Sequence, residues 1–433
     1  MQRLTRSGQG SNSVTLGGAL TTSAANGSAS ISPTRTPGVY RIVLPDPGTG
    51  WEESLILGVP SVQTPGPVPL LVMFHAHDVS EWDCYVNGNA LFEEARSRGW
   101  YVISPLGAHQ VNHGIYYAQQ NIEYALSLFT QKLPIDTDRI YGVGFSMGGG
   151  GVMSYASRHH DLNLPRFAAV TNHTGTVSVA FTYYNSVNQS VFEHPLMFNG
   201  SPAVAPFLYS QASSIDIAFG TNLVDSTTDQ VRNLARGSVL NFYAVSDPLV
   251  NAVLATQLMN NWLLQIPGMD TTLVTAPLST HAWSTLDEVA VLNAMASKTL
   301  QTPTTGTHEV LADREANWFH FYVRQDAGNQ FTPFRWTYDA IANRLTIDQT
   351  ENLASIDVRT DTLGLDTSID LEVIMSTTDG GSEVTTLTGY ATQPLEVKRA
   401  GVVTSSWSWD SIGQTVTLTE SDPSTASVWL IRP

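Results

Sequence analysis

The chain predicts an α/β fold, a mostly parallel sheet with helices on both faces, followed by an all-β, sandwich-like domain. Three observations carry this. From residue 38 to about 300, short apolar runs alternate with segments of helical spacing, the arithmetic of a covered parallel sheet. Gly144-Phe145-Ser146-Met147-Gly148 sets a serine at the centre of G-x-S-x-G between a strand pattern and a helix pattern. Beyond 302 the helical spacing gives way to Thr-rich alternation such as Ser355-Ile356-Asp357-Val358-Arg359.

Residues 1–37 are dominated by Ser, Gly, Thr, Ala and Asn and predict a flexible arm. The runs 39–44 and 54–59, divided by Pro45-Asp46-Pro47-Gly48, predict an opening antiparallel hairpin. Strands are expected at 70–74, 101–104, 140–145, 168–172, 239–245 and 272–276. The helices between them fall at about 83–98, 115–131, 147–159 and 249–264, and a last one at 285–299 starts on the capping-box-like Ser284-Thr285-Leu286-Asp287. Where one helix would suffice, the chain spends about 60 residues rich in aromatics and interrupted by Pro195, Pro202 and Pro206. An insert or lid at about 176–236 is the expectation, with the catalytic domain spanning 38–301.

The remainder, 302–433, contains a degenerate repeat. Trp336-Thr337-Tyr338-Asp339-Ala340-Ile341 returns as Trp407-Ser408-Trp409-Asp410-Ser411-Ile412, and Leu345-Thr346-Ile347 returns as Val416-Thr417-Leu418. Two related hairpins in a sandwich account for it. The period-two aromatics suit core packing better than stacking on a sugar or polyester.

A formal net charge of −17 repels phosphate backbones and anionic membrane surfaces, which excludes nucleic acid as a partner. Cys84 is the single cysteine, so no intramolecular disulfide exists, and it is expected as a small buried hydrophobe. No run of 18 apolar residues is present to span a membrane. The surface, poor in Lys and rich in Ser, Thr and Asn, suits a secreted or periplasmic protein whose signal segment is not in this sequence, with a cytoplasmic protein as the alternative.

Ser146 needs a base to take its proton and a carboxylate to hold the resulting imidazolium. Behind a nucleophile elbow these follow in the order Ser, Asp, His. The strand 239–245 runs into Ser246-Asp247-Pro248, which puts Asp247 at a strand's C-terminal end. The strand 272–276 runs into Pro277-Leu278-Ser279-Thr280-His281-Ala282-Trp283, and His281 is the only histidine between Asp247 and the end of that domain. Main-chain N–H groups of Met147 and of His77, in the loop after Phe74, are the candidate oxyanion donors. No H-E-x-x-H or compact ligand spacing supports a metal, and no cofactor is called for.

The four-glycine elbow, the loop opening on His75, the Ser-Asp-Pro-Leu-Val turn and the His-Ala-Trp turn together resemble the polyhydroxybutyrate depolymerase, feruloyl esterase and acetylxylan esterase group of α/β-hydrolases. The likeness covers about 38–300, and the chain departs from the group's usual His-Gly at His75-Ala76. It implies an α/β-hydrolase fold and ester cleavage, with Ser146 as nucleophile, Asp247 as acid, His281 as base, and a small or polymeric ester as substrate. By the same resemblance Trp283 touches the substrate or packs. His75, which opens the loop after Phe74, and Tyr183 and Phe181, from the aromatic insert beside the elbow's sheet edge, are further candidates for the substrate pocket. The rivals are a prolyl oligopeptidase-like peptidase, for which the segment before Gly38 is too short to supply a propeller, and a non-catalytic binding protein on the same scaffold.

Overall fold

The computed structural model describes residues 37–185, 190–218, 220–234, 236–379, 383–420 and 426–433, without the side chains of 190–192. The expected arm lies, apart from Pro37, outside the described residues, as do Phe219 and the side chain of Phe192.

Eight strands form the first sheet: β1 (Gly38–Leu44), β2 (Glu53–Val59), β3 (Val68–Phe74), β4 (Tyr101–Pro105), β5 (Ile135–Phe145), β6 (Ala169–His173), β7 (Ser238–Ala244) and β8 (Asp270–Ala276). Their order is β1-β2-β4-β3-β5-β6-β7-β8. The β1–β2 and β2–β4 pairs are antiparallel and every later pair is parallel. This is the α/β-hydrolase fold. Parallel strands are buried on both faces, and the alternation shows it: Leu70, Val72 and Phe74 face one core while Leu71 and Met73 face the other. The strand order reverses around β3, so β3 and β5 open a crevice beyond their C-terminal ends.

The helices follow the expected places with two differences. The single helix expected over 83–98 is two, α1 (Asp83–Val86) and α2 (Asn89–Ser97), because the Asp83 carbonyl accepts from both Asn87 and Gly88 and closes the first turn. Among the described residues α3 (Tyr116–Lys132), α4 (Met147–Arg158), five shorter or later helices and 3-10 turns at Gln230–Leu234 and Trp283–Thr285 complete the layer. The last helix starts at Glu288, since Thr285 belongs to the 3-10 turn and Asp287 is the residue that caps, accepting from the Ala290 N–H at 2.9 Å. Cys84 is buried, with its Sγ 3.4 Å from the Met73 carbonyl.

The chain beyond 305 forms a seven-stranded and a six-stranded sheet sharing one core. The hairpin of Thr332–Asp339 with Arg344–Thr350 lies in the first sheet, and that of Trp407–Asp410 with Thr415–Glu420 in the second. Both turns close the same way: Asp339 accepts from Ile341 N–H at 3.0 Å and Asp410 from Ile412 N–H at 2.9 Å. Trp336 and Tyr338 are buried in the core, while Trp407 and Trp409 are half-buried against it.

The two parts meet along a polar seam. Arg158, at the end of α4, donates through Nε to Asp313 Oδ2 at 2.8 Å, and both side chains are fully buried. Asn233 binds both the N–H and the carbonyl of Leu311, at 2.7 and 3.0 Å. Among the described residues no helix is long and apolar enough to cross a membrane.

Candidate active site

Ser146 joins β5 to α4 with φ 57° and ψ −120°, a strained conformation for a residue with a Cβ. Its N–H is held by the His173 carbonyl at 3.0 Å, and its own carbonyl accepts from Gly149 at 3.0 Å and Thr176 at 3.1 Å. The turn is so tight that a Cβ at Gly144 would lie 1.9 Å from the Gly148 carbonyl oxygen, and one at Gly148 would lie 2.2 Å from that of Phe74. Only glycine allows the helix to leave the sheet here.

Asp247 follows the end of β7, and His281 follows β8. The two turns are stitched together, Val245 N–H to the Ala276 carbonyl at 2.9 Å and Ser246 N–H to that of Leu278 at 3.1 Å. Asp247 Oδ2 accepts from His281 Nδ1 at 2.7 Å while its Oδ1 accepts from Leu249 N–H at 2.8 Å. The imidazole rests on Phe145, ring centroids 4.4 Å apart, one residue before the serine. Its Nε2 is buried and meets no hydrogen-bond partner among the described residues. With Nδ1 donating to the carboxylate, Nε2 is the lone pair, the tautomer a proton acceptor requires.

The amides of Ala76 and Asp78 are occupied, by the Asp83 carboxylate and the Gln110 carbonyl, both at 3.0 Å. That of His77 between them, and that of Met147 in the first turn of α4, meet no acceptor among the described residues.

The residues expected to touch substrate divide. Trp283 is 5% exposed, packed on Phe145 and His173 with its Nε1 donating to Asp83 Oδ2 at 2.9 Å, so it packs. Phe181 is buried in the core beneath the sheet. His75 is buried, both ring nitrogens against main-chain carbonyls of Ala76 and Leu106 at 2.7 and 2.9 Å. All three are packed within the protein, each polar atom or apolar face meeting a protein partner. Tyr183 is half-buried and stacks toward His194.

Three features were not read from the sequence. The buried carboxylate of Asp83 takes the Ala76 N–H and the Trp283 indole on the same oxygen, and so ties the His77 loop to the His281 turn. His77 pairs with Glu193 at 2.9 Å, docking the helix Ser190–Met197 onto that loop, and beside them His113 and His194 meet Nε2 to Nε2 at 3.0 Å. His173 lies behind the elbow, bound to Thr285 Oγ1 at 2.7 Å. Except for Ala76 to Asp83, these contacts join residues far apart in the chain. Among the described residues no group of three or more His, Cys, Asp or Glu side chains is placed to hold a metal.

Burial pushes the imidazoles of His160 and His173 down to about 3, and those of His109, His159 and His194 down to about 4. An unfolded histidine titrates near 6.5, so below that pH the unfolded chain binds more protons. The stability these five contribute is present above about pH 6.5 and is lost as pH falls toward 4 and below. Burial pushes the carboxyls of Glu53 and Glu383 up to about 7, which acts in the opposite sense, with stability present below about 4.5 and lost as pH rises to 7. The histidines outnumber them. The thermal midpoint is expected to fall between pH 6 and 4, measured by circular dichroism across buffers of equal ionic strength; a midpoint that rises would contradict it.

No protein-family model matches the chain, and no curated protein sequence matches it. Solved structures do. An S-formylglutathione hydrolase from Agrobacterium tumefaciens is 17% identical, with a TM-score of 0.46, over 60% of this chain and 94% of that one. Est1E from Butyrivibrio proteoclasticus is 18% identical, with a TM-score of 0.41, over 59% and 95%. An acylaminoacyl peptidase from Pyrococcus horikoshii is 14% identical, with a TM-score of 0.41, over 61% of this chain and 42% of its own.

Proposed function

We propose that the protein is a carboxylic ester hydrolase acting through Ser146, His281 and Asp247. The observation that carries this reading is the imidazole of His281, bound to Asp247 on one side, lying tilted against Phe145 beside the elbow, and bearing a buried Nε2 without a partner among the described residues on the other. In the reaction, Ser146 Oγ attacks the ester carbonyl carbon as its proton passes to His281 Nε2. The charge on the carbonyl oxygen is taken by the N–H groups of Met147 and His77. Collapse of the intermediate expels the alkoxide, which takes the proton from His281 and leaves an acyl-serine. Water, deprotonated by the same nitrogen, attacks the acyl carbon and releases the acid and the serine.

Aromatic, plant cell-wall and polyester-type esters are the substrate class in this reading. The test is hydrolysis of p-nitrophenyl acetate and octanoate, methyl ferulate, acetylated xylan, an aromatic polyester oligomer and a peptide anilide. Cleavage of esters supports the reading and ranks the acyl groups. Cleavage of the anilide alone would make the protein a peptidase, and no turnover of any member would point to a binding role.

Asp83 enters this chemistry as a positioning residue, since one oxygen holds both the oxyanion loop and the base turn. Asp83→Ala is expected to lower kcat by about 100-fold with little change in KM, the scale of a misplaced catalytic group. Asp83→Asn should recover most of the loss, because its carbonyl can accept both bonds while Asn87, now bound to Asp83 Oδ1 at 2.7 Å, turns its own amide. Equal losses in both variants, or a loss in KM alone, would rule out the positioning role.

A further inference from the structure

Six large apolar side chains stay exposed on the three turns around the proposed base. Val245, Leu249 and Val250 belong to the turn that carries Asp247, Leu278 to the turn that carries His281, and Trp82 and Val86 to the start and end of α1; all six are 39 to 66% exposed. Bonds tie their places to the triad. Leu249 N–H donates to Asp247 Oδ1, the Leu278 carbonyl accepts from Ser246 N–H, and Asp83 of α1 holds the indole of Trp283 in the base turn. Exposed apolar residues scattered singly are ordinary, but six on three adjoining turns make a rim.

Charge is sorted the other way. Between residues 38 and 301 the chain has ten Lys and Arg. Nine of them lie toward the N-terminal ends of the strands, where helices close, as at Arg96, Lys132 and Arg158, or where strands begin, as at Arg139, Arg166 and Arg236. Arg158 is twelve residues along α4 from Ser146, about 18 Å at the helix rise and beyond the reach of a screened charge. The tenth, Arg41, is held by Glu81 at 2.7 Å. Among the described residues of the three turns the exposed charge is that of Asp78, an anion. No Lys or Arg on this rim stands ready to meet an anionic substrate.

The reaction says which half of an ester meets the rim. The departing oxygen takes its proton from His281 Nε2, so the alcohol leaves across the base turn while the acyl group stays on Ser146. We infer that the rim binds the alcohol half of the substrate and selects an uncharged aliphatic chain there, against an alcohol that bears a carboxylate. The inference rests on the ester reading and adds to it the class of alcohol.

Hydrolysis of ethyl, hexyl and 5-carboxypentyl acetate by the full chain, followed by titration of the released acid beside a Ser146→Ala control, tests it. The three share one acetyl-enzyme, so their kcat/KM values differ through the alcohol alone. Burial of one methylene is worth about fourfold. Hexyl acetate, with four more of them against the rim, is expected to exceed ethyl acetate by at least about tenfold. The 5-carboxypentyl ester should fall at least about tenfold below the hexyl ester, because its carboxylate either stays in water and draws the chain off the rim or loses water without a counter-charge. Leu278→Lys should raise the carboxylated ester several-fold relative to the hexyl ester at low ionic strength, an advantage that added salt removes. If Leu278→Lys fails to fold, Val250→Lys, at the most exposed of the six, takes its place.

Equal rates for the hexyl and ethyl esters, a carboxylated ester cleaved as well as the hexyl one, no response to either lysine, or cleavage of p-nitrophenyl esters but of none of the three acetates would each overturn the inference and leave the ester reading standing. No Ser146-dependent cleavage of any ester would overturn the ester reading, and the inference with it.

Discussion

Ser146→Ala is expected to abolish ester turnover, with kcat falling by about 10⁴- to 10⁶-fold and the fold intact. The size follows from the division of labour. Without the hydroxyl no acyl-enzyme forms, and what remains is the stabilisation offered by the Met147 and His77 amides and by binding. The fold should tolerate the change because the elbow is held by main-chain bonds, from Ser146 N–H to His173 and from Gly149 and Thr176 to the Ser146 carbonyl. Alanine keeps all of them. Single-turnover assays with a p-nitrophenyl ester, alongside circular dichroism, read both quantities. Retained turnover in a folded Ser146→Ala protein would remove the serine mechanism.

The largest expected effect on stability lies at the seam. Burial alone would raise the Asp313 carboxyl, but Arg158 and Arg314 beside it hold it below its usual range. Asp313→Ala strands the Arg158 guanidinium, 1% exposed, and is expected to cost about 3–5 kcal/mol. The double variant Arg158→Met with Asp313→Leu should regain most of that, since an apolar pair removes the need for mutual compensation. Urea unfolding of the three proteins decides it. If the double variant is as unstable as the single one, packing volume at the seam, rather than the stranded charge, is what matters.

The sheet was legible because its strands are continuous apolar runs and its helices keep their period, so Ser146, Asp247 and His281 could each be set at a strand end by counting. The structure brings the last two within 2.7 Å. What could not be read is whatever depends on two distant segments meeting. Trp283 looks like an open aromatic in a motif until Asp83, 200 residues away, takes its indole N–H. His75 looks free until the Leu106 carbonyl arrives from the next strand. The split at 83–98 was hidden because the side chains keep helical spacing while the break is made by main-chain bonds to Asp83.

The crowding at the elbow also constrains the gene. Every single-base change in a glycine codon that alters the residue brings in a Cβ or ends the chain. At 144 and 148 the new carbon would fall 1.9 and 2.2 Å from a carbonyl oxygen of the main chain, which no rotamer change relieves. In a saturation library these codons should therefore return synonymous changes almost alone.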